Sequence, residues 1–69
     1  MKYDYTYLYD VIMESGIDEF ANRMNQPIEH VLDLLNNVRT WTISEIDAAI
    51  EILGVSIEYI QPLFFTLAA

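Results

Sequence analysis

The sequence predicts an all-α fold, a compact five-helix domain spanning residues 1–69, and three observations carry that prediction. Apolar residues recur at helical spacing, as in Ile46, Ala49, Ile50 and Leu53, rather than alternating. Turn-forming and helix-ending residues (Gly16, Asn25, Pro27, Asn37, Gly54) cut the chain into short segments. With 54% hydrophobic residues the chain is too apolar for disorder, and 69 residues leave room for one small core, marginal in stability without a partner.

The first helix reads from Thr6 to Ser15, with Thr6 as N-cap and Gly16 as stop. Leu8, Val11 and Ile12 share its inward side. Tyr3, Tyr5, Tyr7 and Tyr9 alternate as in a strand, but such a strand has nothing to pair with, so they read as helix entry and packing. The second helix is short, Ile17 to Asn25. Asp18 and Glu19 sit in its first turn, where the helix dipole favours anions, and Phe20 and Met24 share a face beside Ala21. Asn25 supplies the left-handed turn. Pro27 suits the first turn of a third helix reaching Asn37, with Val31, Leu34 and Leu35 inward.

The fourth helix has the clearest limits: Thr42 and Glu45 match a capping box, and Gly54 closes it. Ser56 caps a last helix, "IEYIQ", which Pro62 ends, and Phe64 and Phe65 fold back on the core. Leu8, Ile12, Phe20, Ala21, Met24, Val31, Leu35, Ile46, Ile50, Leu53 and Ile60 are the expected core.

Charge restricts function. Three Lys plus Arg face eleven Asp plus Glu, a formal net charge of −8. Binding nucleic acid by counterion release needs clustered cations, and Lys2, Arg23 and Arg39 are scattered. An acidic surface suits a basic protein instead. Cysteine is absent, which suits a reducing cytosol. Lys2 is the only early cation and Asp4 and Asp10 interrupt the start, so no secretory signal is expected; apolar runs such as "LFF" are too short to span a bilayer. The acidic polar faces of the helices disfavour anionic membranes.

No enzyme, metal site or cofactor is expected. His30 is the only histidine, with no catalytic constellation beside it, and His30 with Asp33 supplies two ligands where a site needs more. Asp4, Asp10 and Glu14 miss calcium-loop spacing, and Gly16 and Gly54 are too far apart to cradle a phosphate.

A short helix containing "FA", a tight turn, a helix ending in "LNN" and then "TISEIDAAIEILGVSIEYI" together resemble the lambda-repressor-like helix-turn-helix family. The opening "MKYDYTYL" and the ending "WTISEIDAAIEILGVSIEYIQPLFFT" look like small Cro-like phage proteins, among them regulators of the lytic–lysogenic switch in phages of Gram-positive bacteria. The resemblance covers nearly the whole chain and implies that the third helix would be the reading helix, its first turns in the major groove. Its outward positions would be Ile28, Glu29, Leu32, Asp33 and Asn36. In DNA-binding relatives these positions are mostly polar or basic, and that of Gln26 is usually apolar. Here Glu29 and Asp33 share a face, with Arg39 the one cation nearby.

An apolar pair, Ile28 and Leu32, flanked by carboxylates fits a protein surface with apolar and basic groups. The resemblance therefore implies an antirepressor, similar to the modulator-of-repression proteins of temperate phages. It would bind the DNA-binding domain of the phage repressor in the bacterial cytoplasm, with DNA binding weak or absent and a homodimer possible through "PLFFTLAA". Two alternatives stay open: a Cro-like DNA-binding repressor using Arg39 on phosphate, and an acidic inhibitor of a host nucleic-acid enzyme, such as an anti-CRISPR.

Overall fold

Asp4 starts the first helix. Its Oδ1 accepts hydrogen bonds from the Thr6 backbone N–H at 2.9 Å and the Thr6 hydroxyl at 2.6 Å, which hold its carboxyl below its ordinary value. Thr6, expected as the N-cap, is instead the first residue of α1 (Thr6–Ser15), and Tyr5 holds the N-cap position with no side-chain cap hydrogen bond. The computed structural model describes residues 3–67. Lys2, one of the three scattered cations, and the last two alanines of the apolar tail lie outside the described residues.

The chain continues through α2 (Ile17–Arg23), α3 (Ile28–Leu35), α4 (Ile43–Leu53), a 3-10 turn over Ile57–Tyr59, and α5 (Ile60–Phe64). The fold is all-α, with five α-helices among the described residues. Gly16 alone separates α1 from α2 at φ 101°, donating its N–H to the Ile12 carbonyl at 2.9 Å. Four residues join α2 to α3, turned by Asn25 at φ 60°. Asn37 repeats that conformation at φ 62° after α3, and its Nδ2 donates to the Tyr3 carbonyl at 3.0 Å. α1 packs on α2 and α5, and α2 packs on α3 and α4.

Several expected boundaries move: α2 ends at Arg23, short of Asn25, and α3 at Leu35, short of Asn37. Pro27 is the N-cap of α3, not a residue of its first turn, and keeps extended backbone angles. Pro62 does not end the last helix. It sits third in α5, in a first turn whose N–H groups lack intrahelical acceptors, so its missing donor costs nothing there. Ser56 caps by backbone position alone, its hydroxyl turned to Glu58 at 3.3 Å.

The buried core holds Leu8, Ile12, Phe20, Ala21, Val31 and Leu35 as expected, together with Leu34 from the inward face of α3. Met24, Ile46, Ile50, Leu53 and Ile60 are only partly buried against it. Tyr5, Trp41, Ala49, Leu63 and Phe64 complete it. Trp41, in the α3–α4 connection, joins two distant parts of the chain: its ring meets Phe64 at 5.0 Å and Tyr5 at 6.3 Å, both edge-to-face. Burial pushes the Tyr5 hydroxyl up, and Tyr3 adds to it.

The tyrosine-rich start is divided. Tyr3 and Tyr5 pack, whereas Tyr7 and Tyr9 are exposed on α1. The start also finds a partner that the sequence did not reveal. Tyr3 forms an antiparallel bridge with Leu67, and the Asp4 N–H donates to the Thr66 carbonyl at 2.6 Å. Of the two phenylalanines expected to fold back, Phe64 is buried; Phe65 is exposed and leans edge-on against Tyr3. No helix among the described residues is long and apolar enough to cross a membrane.

Candidate protein-recognition face

Burial of Val31, Leu34 and Leu35 fixes the rotation of α3 about its axis, and so decides what faces out. Ile28 at the helix start is 39% exposed, and Glu29 and Asn36 are exposed. Leu32 and Asp33 are half-buried, so the expected exposed pair of Ile28 and Leu32 is unequal. Beside them, the segment after α3 folds back over the helix end. There the Asp33 carbonyl accepts from the backbone N–H of Val38 at 2.8 Å and of Arg39 at 3.1 Å.

The two carboxylates also differ. Asp33 Oδ2 lies 3.4 Å from Arg39 Nε, a pair exposed enough to contribute little to stability. Glu29 has no ion-pair partner among the described residues. The helix itself, Ile28 to Leu35, carries no Lys or Arg. Its outward side therefore offers one exposed isoleucine, an unpaired carboxylate, a second carboxylate shared with a cation, and an amide.

His30 lies on the flank, where its Nε2 is 2.6 Å from Glu45 Oε2 of α4. It does not pair with Asp33. Glu45 Oε1 meanwhile accepts from the Thr42 N–H at 3.0 Å, and the Glu45 N–H donates to Thr42 Oγ1 at 3.1 Å, completing the expected capping box. One carboxylate thus caps α4 and ties its first turn to α3. Burial pushes the Glu45 carboxyl up, but the hydrogen bonds from His30 and Thr42 outweigh it and hold the group below its ordinary value.

Two exposed apolar residues that the sequence had not singled out flank the α3–α4 connection. Val38 is 70% exposed and Ile43 is 80% exposed, on either side of the buried Trp41. No pattern marked them. Ile43, the first residue of α4, falls in helical register with Ile46 and Ile50 yet is exposed. Among the described residues, no group of three or more His, Asp or Glu side chains could hold a metal ion. No family model matches this chain, and neither does any curated protein or solved structure.

Proposed function

We propose that this chain is a lambda-repressor-like helix-turn-helix protein that recognises protein instead of DNA, acting as an antirepressor on the DNA-binding domain of a phage repressor. The observation that carries the reading is the outward side of α3, where Ile28 and the unpaired Glu29 are exposed and Lys and Arg are lacking. Facing phosphates, that surface would repel. Facing a repressor's reading head, with its Lys, Arg and amide donors, it is complementary. Two short helices joined by a four-residue turn are the arrangement in which a reading helix is presented, which supports the helix-turn-helix part of the reading. Ile28, with the half-buried Leu32, forms the apolar centre; Glu29, Asp33 and Asn36 form the polar contacts. Occupying the repressor's DNA-reading surface would keep it off its operator and release lytic promoters.

The test is a calorimetric titration of the chain against the DNA-binding domain of the repressor encoded beside it, with the operator as competitor. Reversing both charges, Glu29→Lys with Asp33→Lys, is expected to weaken binding about a hundredfold or more. The same double variant is expected to stay folded and lose no more than about 1–2 kcal/mol, because Glu29 gives up its place in the first turn of α3 and Asp33 its exposed pair with Arg39. Unchanged affinity would remove α3 from the contact. A complex of the chain with operator DNA alone, in a low-salt gel shift, would replace this reading with the Cro-like one.

A further inference from the structure

A second feature lies away from the outward side of α3. The Tyr3–Tyr5 segment, the α3–α4 connection and α5 enclose a cleft of about 390 Å³, within the size range of small-molecule sites. Five rings wall it: Tyr3, Tyr5, Trp41, Phe64 and Phe65. Its charge is opposite to that of the chain. In a sequence of net charge −8, no Asp or Glu lines this cleft, and Arg39 does.

Trp41 adds an independent observation. The residue is 7% exposed, and its Nε1–H is buried with no hydrogen-bond acceptor among the described residues. A buried donor without an acceptor is uncommon in a folded protein and points to a group that completes it. The rings of Tyr5 and Phe64 meet Trp41 edge-to-face and offer at most a weak π acceptor. Because the N–H is closed off from solvent, a rim side chain must shift before an acceptor reaches it. Phe65 is the exposed ring of the five.

We infer that this cleft binds a small apolar molecule bearing a carboxylate. The apolar body lies among the rings, and the carboxylate accepts from Trp41 Nε1–H and from the Arg39 guanidinium at the rim. The carboxylates nearby are otherwise engaged. Asp33 meets Arg39 through Nε alone, at 3.4 Å, which leaves the terminal N–H groups for a ligand, and Asp4 turns its carboxylate to Thr6. A cationic ligand would meet Arg39 and a donor, and so is disfavoured by the same groups.

Trp41 is the only tryptophan, so its indole N–H gives a single resonance in a proton–nitrogen correlation spectrum of the whole chain. Phenylacetate is the probe, with benzylammonium as an aromatic ring of opposite charge. The expected result is a saturable downfield shift of the indole resonance with phenylacetate and none with benzylammonium. Arg39→Ala should raise the apparent Kd for phenylacetate about tenfold, with the helical content of the ligand-free chain retained by circular dichroism. An equal response to both probes, no response up to the solubility limit, or an Arg39→Ala variant with unchanged Kd would overturn the assignment. So would an indole proton already downfield before any probe is added, since another acceptor would then complete it.

Discussion

Helices α3 and α4, tied by His30 and Glu45, are held in different ways. α3 buries three of its eight residues, Val31, Leu34 and Leu35, yet has no side-chain cap at its start. α4 buries one of its eleven, Ala49, and is closed at both ends, by the Thr42–Glu45 box and by Gly54 in the left-handed conformation. Full burial of three side chains therefore holds α3, whereas α4 adds closed termini to the partial burial of Ile46, Ile50 and Leu53. The difference would suit the recognition role proposed for α3, since a helix locked by its inward face can vary its outward face at little cost to the fold.

The largest break in that contrast is Leu34→Ala. A fully buried leucine leaves a cavity, and the loss is expected to be about 3 kcal/mol. For a chain of 69 residues that is a large part of the total stability, visible as a collapse of the urea midpoint. A loss below about 1 kcal/mol would show that α3 is not held by packing.

Thr42→Ala should cost less, about 1 kcal/mol, because it removes one side-chain acceptor from the α4 cap and creates no cavity. Hydrogen exchange would place that loss in the first turn of α4, near Ile43 and Glu45. Uniform loss across the chain would mean that this turn does not open locally.

The smallest effect sharpens the contrast through pH. The folded pKa of Glu45 lies below its unfolded value, so its contribution is complete above the unfolded pKa. That contribution is lost as pH falls through the folded pKa, on the acid side of about pH 4. Glu45→Gln keeps a cap acceptor and removes the titration. Denaturation profiles of the two proteins should therefore converge in acid and separate toward neutral pH, with the parent the more stable. Parallel profiles would remove the carboxylate from the link between α3 and α4. Asp4, also held low, titrates in both proteins and cancels in the comparison.

Legibility in the sequence followed the range of each interaction. The capping box, the left-handed Asn25 and Gly54, and the inward faces of α1 and α3 rest on residues within one or two turns of each other. Such patterns are visible in a linear string. Pro62 misled because a breaker in a helix interior is harmless in a first turn, and the position of that turn depended on the preceding 3-10 segment. Thr6 misled because the helix begins at Thr6 itself and its hydroxyl donates to Asp4.

The sequence alone thus determined an all-α chain, its five helical segments and its acidic balance, since these depend on local propensity, spacing and composition. Tertiary structure decided the rest. It closed the start of the chain against its end through Tyr3 and Leu67, made Trp41 a core residue from within a connection, and joined His30 to Glu45 across fifteen positions. It also exposed Val38 and Ile43 while half-burying Leu32. Each of these depends on which surfaces meet once the helices pack, and residues far apart in the chain carry no periodic mark of their contact.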